Sequence, residues 1–176
     1  ERLTLIEVVA RFLQMLRERA EAGEAETLGE LRFLHDRVRE AAYAGLAAPD
    51  REVLHLALGR RRLAAGPLSP EAGQAAADHL NRAAERLTDP AERSRLADLN
   101  LAAGLRARRA AAFDAARHYF ECGLALPLPG GSAAAARARG IALRLGRAEA
   151  RHLQGETATA EAMCADVLAE ADTDEE

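Results

Sequence analysis

The strongest constraint on the fold is a helix-start signal that occurs twice. Ser69-Pro70-Glu71 and Asp89-Pro90-Ala91-Glu92 each place a capping side chain directly before a proline. The capping oxygen accepts from backbone N–H groups that have no partner inside the helix. Proline at the first helical position lacks an N–H that would be unpaired there anyway. These signals predict helices beginning at Pro70 and Pro90. Glu92 lies three residues after Asp89, the spacing of a capping box.

Helical periodicity fills much of the remaining chain. Leu5, Val8, Val9, Phe12, Leu13 and Leu16 share one face of a helix from Leu3 to about Arg19. "AEAGEAETLGE" breaks that pattern, and "LRFLHD" alternates briefly enough to suggest a short strand over 31–34. Val38, Ala41, Ala42 and Leu46 predict another helix that ends near Gly45 to Pro49. Asp50 is then the expected cap of a helix carrying Val53, Leu54, Leu56, Ala57 and Leu63. "PLPGGS", Pro127 to Ser132, reads as a loop with Ser132 as the next cap. The acidic end, 172–176, reads as a disordered tail.

The chain has 176 residues and is 49% hydrophobic, but alanine supplies much of that, and aromatic residues are 3%. Alanine favours helix and buries little area, so the expected core is thin and distributed. All 24 basic residues are arginine against 28 acidic ones, a net charge of -4 with both signs interspersed. That balance argues against a nucleic-acid partner. "LTLIEVVARFLQML" is interrupted by Glu7 and Arg11 and is too short to span a bilayer, so no membrane partner and a cytoplasmic location are expected. Cys122 and Cys164 each lie in a helical pattern and read as small core residues rather than a disulfide. The first residue is Glu1, not methionine, so the expectation is a segment of a longer protein.

The helices also repeat. "LHLALGRRRLA" resembles "LNLAAGLRARRA", which makes Gly59 and Gly104 equivalent. "AARHYFECGLAL" resembles "AEAMCADVLAEA", which sets Ala116 against Ala160 and Phe120 against Cys164. Small residues at such points let two helices approach closely. Units of this kind cannot bury their apolar faces alone and stack into a solenoid. Leu99 to Leu128 resembles a tetratricopeptide repeat, with Gly104, Ala116, Phe120 and Gly123 on its small and aromatic positions and Phe113 opening the second helix. Asn100 and Ala107 stand where the family has tryptophan and tyrosine. Residues 138–168 resemble a second copy through Ala148, Gly155, Ala160 and Cys164. The implied fold is all-α: a tetratricopeptide-like right-handed superhelix of antiparallel helix pairs over 49–171.

Few residues suggest catalysis. There is no lysine for a phosphate-binding P-loop. His35, His55, His79, His118 and His152 form no i, i+4 pair, no cysteine spacing suits zinc, and no metal site is expected. His79 and His118 read as surface or packing histidines. A hydrolase or transferase has no supporting constellation, and a DNA-binding winged helix lacks an arginine stripe. Arg60, Arg61 and Arg62 form one basic cluster, and Arg106, Arg108 and Arg109 another. Successive arginines on a helix point in different directions. Pairing with acids of a neighbouring helix is the first reading, and contact with a phosphate or an acidic partner the second.

"FLHDRVREAAY" is the most specific motif. Asp36 at a helix start can cap free N–H groups and meet the positive end of the helix dipole, with His35 projecting from the junction. Leu34-His35-Asp36 also resembles the MHD motif of NB-ARC ATPases, with leucine in place of methionine. The surrounding chain resembles bacterial multidomain signalling proteins in which the winged-helix end of a STAND-type ATPase module runs into a tetratricopeptide-like region. "ADHLNRAAERLTDPAERSRLADLNLAAG" is similar to text from the same proteins, and the resemblance covers about Leu31 to Leu168. It implies a winged-helix-like remnant over 1–48, with His35 as the sensor of the ADP β-phosphate and Asp36 as its support. The cofactor, ATP or ADP, would bind the parent protein; none is expected in this segment. The leading expectation is a non-catalytic regulatory segment that contacts a protein partner or other domains of the parent chain. The alternative is a free-standing scaffold for a peptide or protein.

Overall fold

The computed structural model describes residues 40, 43–127 and 133–172. Among the described residues the secondary structure is all helical: α1 (Ala48–Ala64), α2 (Pro70–Asn81), a 3-10 turn (Ala84–Arg86), α3 (Pro90–Arg109), α4 (Phe113–Ala125), α5 (Ala133–Leu153) and α6 (Thr157–Asp172). The strand expected at 31–34, the helix from Leu3, the loop over 128–132 with its cap Ser132 and the end of the tail, 173–176, lie outside the described residues. No helix among the described residues is long and apolar enough to cross a membrane.

The chain divides into two compact units, Glu1–Arg51 and Glu52–Glu176. In the first, the Arg51 guanidinium donates to the carbonyls of Leu46 (2.9 Å) and Ala44 (2.7 Å) and lies over the Tyr43 ring. It thereby occupies carbonyls in and just past the helical residues 43–45 that precede α1. That helix starts at Ala48, two residues earlier than the expected cap Asp50. Pro49 fits the first turn because its missing N–H costs nothing there, and Asp50 sits in that turn beside the positive end of the dipole.

Both proline-led helices begin where the caps predict. Ser69 Oγ accepts from the Ala72 N–H at 3.2 Å, and Asp89 Oδ1 accepts from the Ala91 N–H at 2.9 Å. The capping box is not completed by Glu92. Its carboxylate receives both Nε and Nη2 of Arg60 from α1, each at 2.7 Å. A charge-assisted, bidentate contact between helices displaces the weaker reach back to the cap.

In the second unit each helix from α2 to α6 packs on its successor, and α3 also reaches α5. Two apolar clusters result. One joins Ala77 and Leu80 of α2 to Leu87, Leu96, Ala97 and Leu126, with Leu56 and Leu63 of α1 laid against it. The other joins Ala116 and Phe120 of α4 to Leu143 and Ala150 of α5. The core is thus distributed, as the alanine content predicts.

Small residues set the spacing between helices. A methyl group on Gly59 would stand 2.5 Å from Leu80, and one on Gly104 would stand 2.5 Å from the Phe120 ring. The two glycines aligned in sequence therefore do one job: each lets a large side chain of the following helix rest on a bare backbone. Helices α3 and α5 also end alike. The Ala111 and Ala112 N–H groups donate back to Arg108 and Ala107, and those of Gly155 and Glu156 to His152 and Arg151. This is the Schellman pattern, which requires a left-handed residue just past the helix. Gly155 meets that need at φ 89°, whereas Ala111 adopts φ 55° despite its Cβ.

Candidate functional site

Helix α2 carries most of the polar chemistry buried between helices. On one side, His79 Nδ1 lies 2.9 Å from Nδ1 of His55 on α1. Asn81 and Asn100 of α3 exchange two hydrogen bonds: the Asn81 Nδ2 group donates to Asn100 Oδ1 at 2.8 Å, and Asn100 Nδ2 donates to Asn81 Oδ1 at 2.9 Å. On the face toward α4, the Tyr119 hydroxyl donates to Asp78 at 2.6 Å and accepts from Gln74 at 3.1 Å. Asn100 is fully buried and His55 is 4% exposed, so each partner satisfies a group that would otherwise cost about 1–3 kcal/mol to bury.

Burial, together with this network, shifts the titration of these groups. Burial, then the hydrogen bond to Asp78, pushes the Tyr119 phenol up to about 12. Burial holds His55 below its ordinary value, and Arg82 adds to the effect. His79 is lowered by burial first, then by His55, Arg62 and Arg82, with Asp78 acting in the opposite sense.

Beside this network lies a cleft of about 640 Å³, where Asn81, Arg82 and the 3-10 turn meet Arg93 of α3 and Cys122, Ala125, Leu126 and Pro127 at the end of α4. Its floor is apolar, from Ala83, Ala84, Ala125 and Leu126. Glu52 lines it too, but Arg86 holds that carboxylate at 2.7 Å. Arg93 spends its Nε on the Leu87 carbonyl at 2.6 Å. Asn81 is held in orientation by Asn100. Such a surface suits binding: fixed polar groups over an apolar floor. It is poorly suited to nucleophilic attack. Burial, then Glu121 and Asp78, push the Cys122 thiol up, which disfavours the thiolate even with the ring nitrogens of His118 at 3.7 and 3.9 Å from its sulfur.

His35 and Asp36 lie outside the described residues, so the MHD-like pair has no place in this network. Arg60 is committed to Glu92. Arg61 and Arg62 are exposed and form no ion pair among the described residues. In the second cluster, Arg106 meets Glu71 at 2.6 Å and Arg108 meets Glu149. Neighbouring helices thus supply the acids for three of these arginines.

Sequence reasoning missed the His55–His79 and Asn81–Asn100 pairs. A test for i, i+4 spacing sees only contacts within one helix, and these cross between helices. One signal was available. His55 and Asn100 each stand four residues before a close-approach glycine, Gly59 and Gly104, a position that faces the next helix.

Compared with known proteins, the chain matches no family model, no curated protein and no solved structure.

Proposed function

We propose that this chain is a non-catalytic interaction segment built from tetratricopeptide-like helix pairs. One observation carries the reading: α3–α4 and α5–α6 repeat the same joint. Each pair turns through a Schellman motif, at Ala111 and at Gly155, and then buries an alanine of the second helix, Ala116 and Ala160. The segment would present the cleft beside Asn81 and Arg82 to a protein partner.

The resemblance around Leu34-His35-Asp36 extends the proposal. The segment would be the regulatory arm of a STAND-type ATPase signalling protein, with His35 touching the ADP held by a module that precedes it and Asp36 supporting that contact. Coupling would require partner and nucleotide to favour different states of the same joint. The alternative, a free-standing scaffold, is favoured by the cleft itself, whose groups are already oriented without a second module.

The deciding measurement is ADP dissociation from the full-length protein with and without His35→Ala. Loss of a hydrogen bond to a charged group is worth about 1.5–3 kcal/mol, so release should quicken about tenfold or more and output should rise. Unchanged release and output would remove the sensor reading and leave the scaffold. Magnesium-dependent ADP binding by residues 1–176 alone would overturn both.

A further inference from the structure

We propose that His55 and His79 form an acid-sensitive latch that holds α1 against α2. The two Nδ1 atoms are 2.9 Å apart, so one ring must donate and the other accept through a bare nitrogen. Protonating the accepting ring leaves two N–H groups facing each other across that distance, and the contact is lost. Each ring sits on a different helix, so losing it acts on the packing of α1 rather than within one helix.

The surroundings oppose a second charge. Arg62 on α1 and Arg82 at the end of α2 both disfavour an imidazolium at His79, and Arg82 also disfavours one at His55. Asp78 on α2 is the carboxylate that would favour it, but it already accepts from Tyr119 at 2.6 Å. The other ties between α1 and the helices that follow it are modest. Arg60–Glu92 and Glu52–Arg86 are partly exposed ion pairs, a class worth about 0–1 kcal/mol each. The apolar tie is Leu80 resting on Gly59, with Leu56 and Leu63 against the cluster below. Releasing α1 would therefore uncover Leu80 and its neighbours.

The sign follows from the lowered values of both histidines. Their contribution is fully present above the ordinary imidazole value of 6.5 and is lost as pH falls from there toward the lowered folded values. This window lies above the range in which the carboxylates titrate, so the two effects separate.

Hydrogen exchange of α1 amides, corrected for intrinsic rates, tests the latch between about pH 7.5 and 5.5, a window around the ordinary imidazole value. Protection of α1 should fall, by up to about tenfold per pH unit for each extra proton bound. Protection of α3 and α4 should not. His55→Gln and His79→Gln should each weaken the pH dependence and together abolish it, and His118→Gln, at an exposed position, should keep it. Equal protection of α1 across the window, or a drop that survives the two substitutions combined, would overturn the proposal. If neither variant folds, ring titration of the unaltered protein by nuclear magnetic resonance decides. Titration of both rings below 6.5 supports the latch, and titration of either at or above that value refutes it.

Discussion

The ring of Phe120 rests on the bare backbone of Gly146: a methyl group there would stand 2.6 Å from Cζ. Gly104 on α3 presses from another side, with a methyl group at 2.5 Å from Cε1. A fully buried phenylalanine on α4 thus sets the distance to two other helices at once. Gly146→Ala and Gly104→Ala should each destabilise by about 1–3 kcal/mol, the usual range for overpacking a core. Phe120→Ala should cost about 3–5 kcal/mol. Urea unfolding gives the values, and Phe120→Leu combined with Gly146→Ala should cost less than the sum of its parts because the two sites touch. Strict additivity would show that the ring does not bear on Gly146.

The left-handed turn at Ala111 should be improvable. A Cβ in this region costs about 1–2 kcal/mol, and glycine gives back part of that gain through its freer unfolded chain. Ala111→Gly is expected to raise stability by about 0.5–1 kcal/mol, whereas Gly155→Ala should lower it by about 1 kcal/mol. Thermal unfolding of the two single variants checks the opposite signs. If both variants lose stability, the two turns are not equivalent.

The Asn81–Asn100 pair should behave as a unit. Asn100 is fully buried, so Asn81→Ala leaves its amide without a partner and should cost about 1–3 kcal/mol. Replacing both by leucine should cost less than the sum of the two single leucine changes, since no orphan remains. A double-mutant cycle at equilibrium measures the coupling, and a coupling near zero would contradict the reciprocal geometry.

Alkali should loosen the joint between α2 and α4. Tyr119 is pushed from its ordinary 10.0 up to about 12, chiefly by burial and then by its bond to Asp78. Its contribution is complete below about pH 10 and is lost as pH rises toward 12. Stability measured through that range should fall, and Tyr119→Phe should flatten this part of the profile. An identical profile in the variant would place the alkaline loss elsewhere.

The sequence alone determined where α2 and α3 begin and which positions had to be small. Ser69-Pro70 and Asp89-Pro90 are local signals whose geometry is complete within a few residues, and the aligned pairs Gly59–Gly104 and Ala116–Ala160 disclosed the close approaches without naming what approached. A cap needs no information from elsewhere in the chain. Tertiary structure decided which partners these local elements found. Glu92, at capping-box spacing, went to Arg60 because α1 brought a guanidinium within 2.7 Å. His55 met His79, Asn81 met Asn100, and Phe120 settled between Gly104 and Gly146 for the same reason. Each contact joins residues far apart in sequence whose separation is set by how whole helices pack, and no local pattern encodes that distance.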